Sequence, residues 1–68
     1  MSVAKVIEIS SDSKDSFDDA IKKGIARAAE TVHGITGAWV QDQEVVVAKG
    51  KVVEYRVRLK ITFVLKGK

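Results

Sequence analysis

The chain has 68 residues, 46% hydrophobic and 31% charged, a net charge of +3, one histidine and neither cysteine nor proline. That arithmetic excludes disulfides and leaves His33 without a second histidine or thiolate for a metal cluster. No apolar run approaches the roughly 20 residues that cross a bilayer, so one small cytoplasmic domain spanning 1–68, with no membrane partner, is expected.

Val3 to Ile9 reads as a strand, rich in β-branched residues. Ser10-Ser11-Asp12-Ser13 reads as the turn after it, with Ser13 or a neighbouring serine as helix N-cap. Asp15, Asp18 and Asp19 follow in the first helical turns, where the dipole favours negative charge. Phe17, Ala20, Ile21, Gly24, Ile25, Ala28, Ala29 and Val32 then recur at three- and four-residue steps. Lys22, Lys23, Arg27 and Glu30 take the other side, so this is one amphipathic helix, with Gly34 as its left-handed cap. Its small apolar residues admit a sheet close to the helix backbone.

Gly37 to Val47 and Lys51 to Leu65 read as two long strands joined by a Lys49-Gly50-Lys51 hairpin turn. The last strand alternates almost completely. Val53, Tyr55, Val57, Leu59, Ile61, Phe63 and Leu65 lie on one face; Glu54, Arg56, Arg58, Lys60 and Thr62 lie on the other. The fold class is therefore α+β, in the order β-α-β-β: a three-stranded antiparallel sheet folded over one amphipathic helix. One helix does not cover an apolar face of about fifteen residues. A domain this short also buries only about 60% of its unfolded surface, so support from partner copies is expected.

Nothing in the chain assembles an active site, and no catalytic residue is expected. His33 suits the helix dipole and its last carbonyls. The serines at 10, 11, 13 and 16 suit turns and caps, because no histidine–carboxylate pair stands beside them. The aspartates at 15, 18 and 19 lack the spacing of a calcium loop, and no metal site is expected. From Lys49 onward Lys49, Lys51, Arg56, Arg58, Lys60, Lys66 and Lys68 stand against Glu54 alone. Arg56, Arg58 and Lys60 form a basic row about 13 Å long. A nucleic-acid surface interleaves aromatics for stacking, and the even-numbered face of this strand offers none. The row instead suits a charged ladder matched by carboxylates on neighbouring strands, Asp42 and Glu44 among them. Trp39, the only tryptophan, serves as core filling, an interface anchor or a flat stacking surface.

The segments Lys5-Val-Ile-Glu-Ile, Ser16-Phe-Asp-Asp-Ala-Ile, Ala26-Arg-Ala-Ala-Glu-Thr-Val, Trp39-Val-Gln-Asp-Gln and Glu54-Tyr-Arg-Val resemble, in order and spacing, those of dodecins. The resemblance runs from about Val3 to Leu65. It implies a homododecameric hollow shell that binds and stores a small ligand without turnover. In the best-known members that ligand is a flavin, riboflavin or FMN, stacked in pairs between aromatic side chains across a twofold axis. Aligned without gaps, the stacking tryptophan of those members falls on Gly37 and the ring-binding glutamine on Arg56. Arg56 donates to ring carbonyls but accepts nothing from the ring N–H. Trp39, two positions beyond Gly37, offers a displaced platform about 6–7 Å along the same face. The ligand-binding residues implied are thus Trp39, Arg56, Gly37 and Gln43. Two alternatives stand beside a flavin shell: an assembly holding another ligand or ion, and a nucleic-acid module using the basic row.

Overall fold

The computed structural model describes residues 3–65. Four elements follow in chain order: β1 Val3–Ser13, α1 Phe17–Ala28, β2 Ile35–Ala48 and β3 Lys51–Leu65. The strands form one antiparallel sheet in the order β1-β3-β2. The expected β-α-β-β architecture is present, and β3 has the limits its alternation predicts. Lys66 and Lys68, part of the C-terminal basic surplus, lie outside the described residues.

β1 runs four residues further than Ile9. Ser10 and Asp12 pair with Arg58 and Arg56, while Ser11 and Ser13 pair with Val57 and Tyr55. The serine-rich stretch is a strand with polar residues on both faces, and the turn shrinks to residues 14–16. Ser16 caps the helix, its Oγ accepting from the Asp19 N–H at 3.0 Å. Ser13 is instead buried, donates to Asp19 Oδ2 at 2.6 Å and accepts from the Asp15 N–H.

The helix stops at Ala28, short of the expected Val32. Its last carbonyls, on Arg27 and Ala28, accept from the N–H groups of Glu30 and Thr31 in the tightened geometry of a fraying end. Gly34 is left-handed at φ +81, but it opens β2 rather than closing the helix. Its carbonyl accepts from the Val64 N–H at 3.0 Å, and β2 starts at Ile35 instead of Gly37. Lys49 and Gly50, both at positive φ, make the two-residue hairpin turn whose twist matches the flanking strands.

Ala20, Val57, Leu59 and Ile61 are the fully buried apolar residues, with Ile7, Ile9, Phe17, Ile21, Ile25, Ala28 and Ile35 packed against them. The helix therefore covers the middle of β3, from Val57 to Ile61, while Leu65 at the far end is exposed. Phe17 meets Tyr55 edge-on, ring centres 5.2 Å apart, at the near end of that core. Beyond this point the β2–β3 hairpin continues with neither helix nor β1 alongside it.

Candidate functional site: the charged face of the sheet

Residues paired across an antiparallel ladder share a face, so register decides which side chains meet. The face turned away from the helix carries the even-numbered residues of β3. Opposite Lys60 and Arg56 on β1 stand Glu8 and Asp12. Opposite Arg58 and Arg56 on β2 stand Asp42 and Glu44.

Asp12, Arg56, Glu44, Arg58 and Asp42 form one alternating chain of charge across three strands, and Lys60 with Glu8 makes a separate pair. Asp12 accepts from Arg56 Nε at 2.8 Å, and Glu44 lies 3.8 Å from the other side of that guanidinium. Arg58 donates to Asp42 at 2.8 Å and to Glu44 at 2.9 Å through its two terminal nitrogens, while Lys60 reaches Glu8 at 4.0 Å. Hydrogen bonding to Asp12 holds the Arg56 guanidinium above its ordinary pKa, and bonding to Asp42 and Glu44 does the same for Arg58. The matched ladder expected from the sequence is what the strands build, with β1 adding two acids to it. Glu8, Asp12, Asp42, Glu44 and Glu54 stand on this face against Arg56, Arg58 and Lys60. Among the described residues carboxylates thus exceed cations on this face, and Arg56, Arg58 and Lys60 are matched by acids there rather than left as a net positive surface.

Gly37 and Trp39 lie on the same face, opposite Thr62 and Lys60. The even-numbered side of β3 supplies no aromatic, but β2 brings one to it. Trp39 is 51% exposed. A β-carbon at Gly37 would meet nothing within 4 Å, so open space adjoins the indole on its strand. Trp39 stands opposite Lys60, which lies four residues from Arg56 on β3, about 13 Å along the strand. The Arg58–Asp42–Glu44 cluster fills the face between them.

Gln43 does not join this group. The register shifts between Val40 and Asp42, a bulge that turns Asp42 and Glu44 onto the charged face. Gln43 is thereby placed opposite Val57, on the helix side of the sheet. Neither glycine nor proline marks the bulge at Gln41 in the sequence.

Two clefts lie elsewhere and are lined by none of these four residues. One of 610 Å³ runs between β1 and the helix, along Ile9, Ser11, Gly24 and Ala28, with Lys23 and Arg27 at its rim. The other, of 460 Å³, lies at the root of the hairpin against Asp12, Ser13, Lys14, Asp15, Lys23 and Glu54. Among the described residues no three His, Cys, Asp or Glu side chains gather as a metal site. Among the described residues no helix is long and apolar enough to cross a membrane.

A family model described as Dodecin matches residues 3–66. Calcium dodecin of Mycobacterium tuberculosis is 35% identical over 63 residues, covering 93% of this chain and 89% of that protein. Its crystal structure, described as that of a calcium-chelating immunodominant antigen with a novel calcium-binding site, superposes with a TM-score of 0.83. That match has 31% identity and covers 98% of this chain and 96% of that one. A Thermus thermophilus dodecin variant superposes at 0.93 and 26% identity over the whole of both chains. A dodecin from Streptomyces davaonensis superposes at 0.92 and 27%, covering 97% of each chain.

Proposed function

This chain belongs to the dodecin family, and from that premise we propose that it is a non-catalytic, self-assembling ligand-binding protein. Its ligand is a flat aromatic molecule, riboflavin or FMN, that stacks on Trp39. The assembly is a homododecamer in the cytoplasm.

The observation that carries the reading is Trp39 itself, half-exposed on a charge-matched face beside the open position at Gly37. An exposed indole there serves neither the core nor, among the described residues, a hydrogen bond. Its π face is available to an aromatic ring. Arg56, on the neighbouring strand of the same sheet face and offset by about 13 Å along it, serves the same ring only when a second copy brings it close. The site is thus completed across a subunit contact. Because the aromatic of the flavin-binding members is replaced by Gly37, affinity is lower than at a complete site by about one to three powers of ten, at about 1.4 kcal/mol per decade.

A second reading, divalent cation binding, takes its support from the relative named calcium dodecin. Against it, Asp12, Asp42 and Glu44 are each engaged by a guanidinium in the protomer. One pair of titrations separates the two. Riboflavin or FMN fluorescence is quenched at micromolar protein, and Trp39→Ala abolishes the quenching. Calcium, followed by calorimetry on the same preparation, gives no heat of binding. Quenching that survives Trp39→Ala removes the tryptophan from the site; heat from calcium without quenching transfers the function to the cation.

A further inference from the structure

The register of the sheet brings one more cation to Trp39. Its cross-strand partner on β3 is Lys60, whose own partner on β1 is Glu8. One row further along the same face, about 6–7 Å away, stand Gly37, Thr62 and Val6. That row carries no charge: an open glycine, a hydroxyl and a valine that is 46% exposed. On the other side of Trp39 the Arg58–Asp42–Glu44 cluster occupies the face. A ring stacked on the indole therefore has room over Gly37 and Thr62, with Lys60 at its border.

The three cations of this face are not equally engaged. Arg56 donates to Asp12 at 2.8 Å, and Arg58 donates to Asp42 and Glu44 at 2.8 and 2.9 Å. Lys60 Nζ stands 4.0 Å from Glu8 Oε1, beyond hydrogen-bond distance, and their side chains are 37% and 48% exposed. The two arginines meet a ligand only by giving up charge-assisted hydrogen bonds, which are the strong ones. Lys60 gives up a loose contact. Its ammonium is a point charge on a flexible stem, able to follow a phosphate without a fixed geometry.

We propose that Lys60 is a ligand-binding residue that sets selectivity: it recognises a negatively charged group carried by the ring on Trp39. The protein then takes a phosphorylated aromatic, FMN, ahead of neutral riboflavin. This rests on the stacking at Trp39 proposed above and narrows the class of ligand. Lys60 serves the ring within one protomer, as Arg56 does not, and Glu8 is its internal competitor. As a rung of the charged ladder alone, Lys60 would affect stability and both ligands alike, and the test separates that role from recognition.

Trp39 is the only tryptophan, so its emission reports a ring stacked on it. The full chain is titrated with FMN and with riboflavin at low and high salt. The parent binds FMN more tightly, and the margin shrinks as salt screens the contact. Lys60→Gln weakens FMN by about fivefold, the scale of one exposed ion pair, and leaves riboflavin within about twofold. Lys60→Arg keeps the preference, and Glu8→Gln, which frees the ammonium, increases it. Three results overturn the proposal: equal affinities for FMN and riboflavin in the parent, a loss in Lys60→Gln shared equally by both ligands, or a ratio that Glu8→Gln leaves unchanged. Riboflavin quenching that persists while the ratio ignores Lys60 removes the selectivity and leaves the stacking on Trp39 standing. No quenching by either flavin removes both.

Discussion

Gly24 lies so close to Ser11 that a β-carbon on the glycine would stand 2.9 Å from the serine's own β-carbon and 3.1 Å from its Oγ. The helix is held at this distance by Ser11 Oγ, which donates to the Ala20 carbonyl at 2.7 Å. A residue that costs an isolated helix about 1 kcal/mol is thus the one that lets it seat on β1.

The propensity gain and the packing loss oppose each other in Gly24→Ala, and packing decides. Overfilling a tight contact costs about 1–3 kcal/mol, more than the helix recovers. The variant unfolds at lower denaturant with an unchanged slope, measured at fixed protein concentration. A midpoint equal to or above the parent's means that the helix slides without loss.

Gly34 and Gly50 both hold positive φ, +81 and +76, yet they differ in surroundings. A β-carbon at Gly50 meets open space, whereas one at Gly34 stands 3.0 Å from the Val64 carbonyl oxygen. Gly50→Ala therefore costs only the left-handed backbone, about 1–2 kcal/mol. Gly34→Ala costs that and also disturbs the hydrogen bond that opens the β2–β3 ladder. Thermal unfolding of the two variants ranks Gly34→Ala below Gly50→Ala; the reverse order contradicts the assignment.

Asp19 couples the strand end to the helix start. The Ser13 hydroxyl first, and then Lys23, hold its carboxyl below the ordinary value of 3.8. A carboxyl with a lower pKa folded than unfolded adds stability above its unfolded value, and that stability is lost as pH falls through the folded one. Asp19→Asn is accordingly less stable than the parent at pH 7, and the difference closes below about pH 4. Urea midpoints from pH 7 to pH 2 follow this directly. A gap that stays constant down to pH 2 assigns the effect to shape rather than charge.

Legibility in the sequence followed how far each element's side chains differ between its two faces. β3 alternates apolar and charged residues along its length, so its limits, its faces and its pairing to Asp42 and Glu44 are all readable. The end of β1 is not, because Ser10, Ser11, Asp12 and Ser13 are polar on both faces and carry the composition of a turn. The apolar period outruns the helix for a related reason: Ala29 and Val32 keep it after the backbone has left the helix. For the candidate site, Gly37 and Trp39 share a face by simple alternation. Gln43 leaves that face through a bulge at a residue with no special backbone chemistry, and pattern reading has no signal for it.

The open position at Gly37 leads to a gain-of-function experiment. Gly37 belongs to an edge strand, lies opposite Thr62 and has nothing within 4 Å of where its β-carbon would stand. A large side chain enters without a clash at the β-carbon. If flavin stacks at this end of the face, Gly37→Trp adds a second aromatic surface beside Trp39. An aromatic pair contributes about 0.5–1.5 kcal/mol beyond its burial, so affinity for riboflavin rises by up to about tenfold from that term alone, and further with the area buried. Arg56 is unchanged, so edge recognition does not improve and FMN gains by the same factor as riboflavin. Fluorescence quenching titrations of the parent, Gly37→Trp and Gly37→Trp with Trp39→Ala separate the two aromatics. Tighter binding in the single variant, partly lost in the double, places both rings on one ligand. An affinity in Gly37→Trp no higher than the parent's moves the flavin site away from this face.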